Sequence, residues 1–233
     1  MKIIKNEKLI KRNGIIGQWT SIGALVVLGG GMYLSFANPA NPQMVTYSIF
    51  ALVGGFILTQ VGMYMGNRWG RSPRPDEKMD AGLKGLPGDY TIYHFVTPAS
   101  HLLVGPAGVW ILLPYRQRGV VKYTKNRWRV GNGGFLQAYM SIFGQEGIGR
   151  PDLEASGEAA AVQRLLLKQV NEGELPPLQA ALVFMNDEVD LQVEDAPLPA
   201  LKIKQLKDFM RQRAKEKPLS QLQLTAIKSA LPE

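Results

Sequence analysis

Two uncharged apolar stretches near the start of the chain constrain it most. Ile15–Phe36 (IIGQWTSIGALVVLGGGMYLSF) and Val45–Met65 (VTYSIFALVGGFILTQVGMYM) contain no Asp, Glu, Lys or Arg. As helices rising about 1.5 Å per residue, each reaches roughly 30 Å, the thickness of a bilayer's hydrocarbon core. Between them lies Ala37–Met44, ANPANPQM, whose two Asn-Pro pairs end one helix and make a turn. Trp19, Tyr47, Tyr64 and Trp69 stand near the ends of the runs, where amphipathic rings prefer the headgroup level. The pattern reads as a two-span membrane hairpin. A cleaved signal peptide has a shorter apolar core, about 7–15 residues, and no second span. A hairpin buried in a soluble core is the other alternative. Gly29–Gly31, Gly54–Gly55 and Gly62-x-x-x-Gly66 allow close helix contact, including a homo-oligomer through the spans.

Charge then gives the hairpin a direction. The 233 residues carry a net charge of +8. The pI of 9.6 taken alone points to nucleic acid. Residues 1–75, however, hold eight bases against Glu7 alone, whereas residues 146–233 hold 11 bases and 14 acids. Most of the excess therefore flanks the apolar runs, and the loop between them has no charge. The positive-inside rule places both ends in the cytoplasm and the loop outside, as in a prokaryotic inner-membrane protein. The chain divides into a basic cytoplasmic tail (1–14), the hairpin (15–65), a juxtamembrane linker (66–75) and a cytoplasmic domain (76–233). The linker GNRWGRSPRP is rich in Gly, Pro and Arg. With no Cys, disulfide scaffolds, thiolate metal sites and a Cys nucleophile are excluded.

The cytoplasmic part reads as alternating helices and strands. Asp76–Leu86 is an amphipathic helix, with Met79, Leu83 and Leu86 at helical spacing. Tyr90–Val96, His101–Val104 and the continuously apolar Val109–Leu113 are strands, the last two joined by Gly105-Pro106-Ala107-Gly108. Gly119–Tyr123 and Arg127–Val130 pair around Thr124-Lys125-Asn126, and Asn132-Gly133-Gly134 makes a turn. Asp152 caps a helix running to Asn171, with Val162, Leu165, Leu166 and Val170 on one face. Leu178–Phe184 is a further apolar strand and Asp190–Val193 a short exposed segment. Helices follow over Ile203–Lys215, with Leu206, Phe209 and Met210 inward, and from Pro218, using Leu219, Leu222, Ile227 and Leu231. This order implies an α/β (α+β) class: a mixed sheet flanked by helices.

The run His101–Gly119, HLLVGPAGVWILLPYRQRG, resembles the NERD (nuclease-related domain) family in its Gly-Pro-x-Gly turn, its apolar strand and the following Gly119. The similarity extends to the helix containing Glu77, to the strand ALVF and to the closing helices, over about residues 76–213. It implies a restriction-endonuclease-like fold. It also implies three catalytic positions that this chain does not fill: Ser100 stands where the family has its metal-binding Asp, Leu113 its Glu and Tyr115 its Lys. Phosphodiester hydrolysis at such a site needs carboxylates to hold Mg²⁺ and activate water. Residues 90–145 contain no Asp or Glu. Only Glu77, Asp80 or Asp89 is expected to reach in from outside, and Glu77 is the one weak catalytic candidate. The expectation is a pseudoenzyme with no metal or cofactor, acting as a binding or scaffolding module. The alternative is a divergent Mg²⁺-dependent nuclease with rearranged ligands.

The acid-free stretch keeps Arg116, Arg118, Lys122, Lys125, Arg127 and Arg129, with Tyr115, Tyr123 and Trp128 interleaved. Strand alternation puts Arg127 and Arg129 on one face and Trp128 on the other. Three readings stay open: a solvated pair of strands whose bases meet the acids of residues 146–233, a nucleic-acid backbone site, and a patch for membrane lipid. A protein partner in the membrane is a further reading of the scaffold. Gly131-Asn132-Gly133-Gly134 resembles a phosphate-cradling loop in composition only, since no Lys-Ser/Thr follows. His94 and His101 read as structural, hydrogen-bonded histidines. Ser100 and His101, adjacent on a strand, face opposite ways and make no catalytic pair.

Overall fold

A computed structural model describes residues 1–37, 39–131 and 147–232. The chain forms two compact units, one of residues 6–74 and one of residues 1–5 with 75–233.

The first unit is a helical hairpin. Helix α1 spans Glu7–Ala37 and α2 spans Pro42–Met65. The apolar run begins at Ile15, but the helix begins two turns earlier, where the Asn6 side chain caps it by accepting a hydrogen bond from the Leu9 amide at 3.0 Å. Pro42 starts α2 at the position where its missing N–H costs nothing, and the Asn41 side chain accepts a hydrogen bond from the Gln43 amide at 3.0 Å. Both helices are long and apolar enough to cross a membrane. Their outer faces are apolar and exposed: Trp19 is 67% exposed, Leu25 71% and Phe36 77%. Soluble monomers rarely expose contiguous apolar surface of this extent.

What holds α1 to α2 is a seam of small residues. The buried positions are Ile10, Gly17, Ala24 and Gly31 on α1 and Ser48, Gly55 and Gly62 on α2, each seven residues apart. A seven-residue repeat keeps one stripe facing the partner helix along a left-handed crossing. Lacking side chains, the glycines let the backbones close up: a Cβ on Gly31 would lie 2.7 Å from the Ala51 Cβ, and one on Gly55 2.5 Å from Leu28 Cγ. Gly29, Gly30, Gly54 and Gly66, which the sequence grouped with them, have nothing within 4 Å of a built Cβ. The periodicity of the seam, not the presence of glycine, selects the packing positions. After α2, Gly66–Gly70 forms a π-helical turn in which the Arg68 guanidinium lies over the Trp69 and Tyr64 rings.

The second unit is a three-layer α/β structure. Its sheet has the order β1-β2-β3-β4-β7-β9, formed by Lys2–Lys5, Thr91–His94, His101–Gly105, Gly108–Tyr115, Gln179–Phe184 and Ala200–Lys202. Every strand runs the same way except β3, which is antiparallel to both neighbours. A second sheet, β6-β5-β8, comprises Arg127–Val130, Val120–Thr124 and Asp190–Gln192. Alternation along β4 splits the core. Trp110 and Leu112 face α3 (Pro75–Leu83) and α5 (Ile203–Glu216) through Met79, Leu83, Leu206 and Met210. Val109, Ile111, Leu113 and Tyr115 face α4 (Pro151–Leu166), α6 (Gln221–Ser229) and the small sheet through Val162, Leu166, Leu224 and Ile227. The mixed sheet flanked by helices is as the element order implied. Gly108 at φ +107 takes the left-handed conformation that the turn into β4 requires.

Several expectations are corrected. Lys2–Lys5 is not part of a free tail. It is an edge strand, with Ile3 opposite Ile92 and Ile4 opposite Tyr93, because four residues suffice to extend a sheet whose next strand is already in place. The strand after Tyr90 stops at His94, since Phe95 turns to φ +58 and its amide bonds to the Ser100 carbonyl. Asp152 does not cap α4: Pro151 sets the start, the capping position is Arg150, and the helix ends at Leu166 rather than Asn171. In α6 the Ser220 cap sets the phase, so Leu222 is 78% exposed while Leu224 and Ile227 are buried. Ala200–Lys202, read as preceding a helix, is a strand beside β7. The turn expected at residues 132–134 lies outside the described residues.

The seam gives a paired prediction. Gly31→Leu should destabilise the hairpin by about 1–3 kcal/mol through overpacking. Gly30→Leu one residue away should leave it unchanged or stabilise it by about 1 kcal/mol through helix propensity. Thermal unfolding of the two variants in detergent, followed by circular dichroism, measures the difference.

Candidate functional site

The carboxyl ends of β1, β2, β4, β7 and β9 lie along one edge of the large sheet, together with the start of β3. In sheets with parallel strands this edge is where ligands usually bind, because loops and helix ends converge on it. The chain's chemistry-bearing residues gather here, on the two faces of the sheet.

On the α3 face a line of polar groups runs inward. The Lys5 ammonium donates to Asp76 Oδ2 at 3.3 Å and to Asp80 Oδ2. Asp80 Oδ1 is 3.0 Å from His94 Nε2, and His94 Nδ1 is 2.7 Å from His101 Nδ1. Asp76, His94 and His101 are fully buried. The register explains the meeting of the histidines, since β2 and β3 pair His94 directly with His101. A carboxylate only accepts, so a neutral His94 donates to Asp80 from Nε2 and accepts at Nδ1 from the His101 Nδ1–H. The Phe95 ring stands edge-on to His101, 4.9 Å between centroids. Burial works against the Lys5 charge, but the hydrogen bond and charge of Asp80, with Asp76 behind it, outweigh that and hold its pKa above the usual lysine value. Both histidines are buried and hydrogen-bonded, as the sequence suggested. Lys5 is the member that sequence reasoning missed.

On the α4 face lie all three positions singled out by the family resemblance, two of them hydrogen-bonded to a carboxylate. Ser100 Oγ donates to Glu158 Oε1 at 2.9 Å and the Ser100 amide to Glu158 Oε2 at 3.3 Å. The Tyr115 hydroxyl donates to Glu154 Oε2 at 2.8 Å. Trp128 Nε1 donates to Asp152 Oδ1 at 2.7 Å. Leu113 is buried in the core. Burial, then the charge and hydrogen bond of Glu154, then Asp152 and Glu158, push the Tyr115 hydroxyl pKa far above its ordinary value. The expectation that only Glu77, Asp80 or Asp89 reaches this strand is therefore corrected. Glu154 and Glu158, one turn apart on α4, are the carboxylates that arrive. Glu77 sits on α3, which packs on the opposite layer from Leu113 and Tyr115. Among the described residues, no group of three or more His, Asp or Glu is arranged to hold a metal ion.

The six basic residues fall into two places. Arg116 and Arg118 follow β4 and line a cleft of about 440 Å³ with Lys78, Met185, Asn186, Asp187 and Glu188. Gly119, at φ +72, then turns the chain into the small sheet. There Lys122 pairs across from Arg129 and Thr124 from Arg127, with Lys125 in the two-residue turn at the tip. The interleaved aromatics point the other way: Tyr123 and Trp128 pack together at 5.2 Å between centroids, inside the core cluster.

No family model matches this chain, and neither a curated protein nor a solved structure matches it.

Two outcomes follow. His94→Phe leaves the His101 Nδ1–H buried without its acceptor and should cost about 1–3 kcal/mol in chemical denaturation. The double variant His94→Phe/His101→Phe should cost less than the sum of the single changes, since it removes both polar partners. Stability should also fall in alkali. Above the unfolded lysine value of 10.5 the folded chain retains the Lys5 proton that the unfolded chain has lost, and it loses that advantage as pH rises through the folded pKa. Buried Tyr90, Tyr93 and Tyr115, with raised pKa values, act in the same direction. Lys5→Met should remove only the lysine part of the alkaline slope in a pH series of unfolding curves.

Proposed function

We infer that this chain is a membrane-anchored binding or scaffolding module without nuclease activity. The hairpin crosses the cytoplasmic (inner) membrane of a prokaryotic cell twice, with both ends inside. The observation that carries this reading is the β1–β2 pairing. Residues 2–5 precede the hairpin and residues 91–94 follow it, yet they are neighbours in one sheet. Both therefore belong on one side of the bilayer, which requires an even number of crossings. It also speaks against a cleaved leader, whose loss would remove an edge strand. The bases next to the apolar runs, Lys8, Lys11 and Arg12 before and Arg68, Arg71 and Arg74 after, favour the cytoplasm for that side.

The α/β unit is read as a degenerate NERD-like domain on a restriction-endonuclease-like fold. Its support is the Gly105–Gly108 turn joining β3 to β4, with Ser100, Leu113 and Tyr115 at the positions where the family keeps its catalytic Asp, Glu and Lys. Ser and Tyr hydroxyls and a buried Leu offer no charge to a divalent cation. A second reading, a divergent Mg²⁺-dependent nuclease, is favoured by one observation: Glu154 and Glu158 sit beside two of those positions. Against it, both Glu158 oxygens and one Glu154 oxygen accept hydrogen bonds from Tyr115 and Ser100.

The topology is tested with single cysteines in a chain that has none of its own. An impermeant maleimide should label Gln43→Cys in cells whose inner membrane is intact, and Gln221→Cys only after that membrane is broken. Labelling of both from one side contradicts the reading. For the chemistry, the full chain with Mg²⁺ or Mn²⁺ should leave DNA uncut. Cleavage that disappears in Glu158→Gln would establish the nuclease, and cleavage that disappears in Glu77→Gln would return that residue to the site.

A further inference from the structure

We propose that the outer face of the β5–β6 hairpin docks on the anionic lipid headgroups of the membrane that holds α1 and α2. The inference rests on the membrane-anchored reading and names a partner for one surface of the α/β unit.

The hairpin's outer face is cationic, and among the described residues no ion pair neutralises it, although Asp190 of the neighbouring β8 lies on the same side of the sheet. Lys122, Arg127 and Arg129 share one side of the two strands, and Lys125 stands at the tip. Among the described residues, none of the four makes an ion pair or a side-chain hydrogen bond. Lys122 lies directly opposite Arg129. Like charges in that position are destabilising, so the arrangement is costly unless an external anion relieves it. The tip repeats the pattern. Lys125 and Asn126 adopt φ +51 and +56, the two-residue turn that favours Asn-Gly, and the first place holds a lysine.

What the face lacks narrows the partner. A surface that grips single-stranded nucleic acid combines cations with aromatic rings on which bases stack. Here Tyr123 and Trp128 turn away from the cations, and the Trp128 indole N–H is bonded to Asp152. The outward side of the hairpin offers cations and no aromatic ring, which suits a layer of phosphate headgroups.

Connectivity keeps such a layer within reach. Only Asn6 separates β1 from α1, and residues 66–74 separate α2 from α3. The longer connection spans about 30 Å at most when fully extended. The α/β unit is therefore joined to the two helices by two short segments. Tethering converts contact with the headgroups into an intramolecular step of high effective concentration. Each Lys or Arg brought to an anionic surface strengthens such a contact by about fivefold at low salt.

The test uses the full chain in lipid nanodiscs. Thr124→Cys, the sole cysteine and exposed on the same face, carries a donor fluorophore, and the headgroups carry an acceptor. Energy transfer should rise about twofold or more in discs of phosphatidylcholine with phosphatidylglycerol relative to phosphatidylcholine alone. High salt should reverse the rise, and so should Lys122→Glu/Arg127→Glu/Arg129→Glu, whose melting curve should match the parent because these side chains have no partners to lose. Equal transfer in both lipids overturns the proposal, as does a rise that survives charge reversal. Duplex DNA bound by the chain in neutral discs, lost on charge reversal while transfer stays flat in both lipids, makes nucleic acid the partner instead. A chain that folds but does not enter discs contradicts the anchored reading itself, an outcome distinct from a chain that inserts with its label away from the headgroups.

Discussion

The pairing of a four-residue strand with the sheet that follows the hairpin is the constraint on which the rest depends. Lys2–Lys5 lies beside Thr91–His94 in parallel register. The chain leaves the α/β unit after Lys5, forms two long apolar helices, and returns to the same unit at Pro75. The hairpin is thus an insertion within a folded unit and not an appendage ahead of it. Lys5 fastens the strand on its α3 side. Its ammonium bridges Asp76 and Asp80, and Asp80 passes the interaction on to His94 and His101. A parallel edge strand with few hydrogen bonds of its own gains from such a charged anchor, since buried acids left without their cation would be costly.

The two faces of the sheet use their polar residues differently. On the α3 face, polar groups bind the start of the chain to the core. On the α4 face, carboxylates of one helix take the hydroxyls of Ser100 and Tyr115 and the indole N–H of Trp128. These bonds join the large sheet, the small sheet and α4 at one corner. Burial first, and then the negative charges of Glu154, Asp152 and Glu158, raise the pKa of the Tyr115 hydroxyl. The cations, by contrast, project outward from the small sheet or into the cleft beside β7, where Lys204 already pairs with Asp187 at 2.7 Å.

Much of this was legible in the sequence, for definite reasons. The two long helices of the hairpin stand out because apolar runs that long, with no charge, are uncommon elsewhere in a chain. The β3–turn–β4 unit is announced by Gly-Pro-Ala-Gly between apolar runs, and the split of cations from aromatics on the β5–β6 hairpin follows from strand alternation. What escaped is tertiary. Lys-Ile-Ile-Lys reads as the basic flank of a span, because two lysines around two isoleucines carry no more strand signal than topogenic signal. Ala200–Lys202 is too short to announce itself. Glu154 and Glu158 look like a solvated pair one turn apart on a helix, and only the docking of α4 turns them toward Ser100 and Tyr115. Counting acids within residues 90–145 correctly found none there, but it could not register carboxylates delivered from residues 154 and 158.

The central claim is that the segments on either side of the hairpin meet in one sheet while the chain is in its membrane. A disulfide reports this directly. Ile3 and Ile92 are register partners, and adjacent strands bring such pairs within the Cα separation a disulfide tolerates, about 4.4–6.8 Å. In Ile3→Cys/Ile92→Cys, oxidised in native membranes, the account predicts an internal cross-link that speeds migration on a denaturing gel and is reversed by reductant. Two free thiols that react with impermeant reagents from opposite sides of the membrane would contradict it.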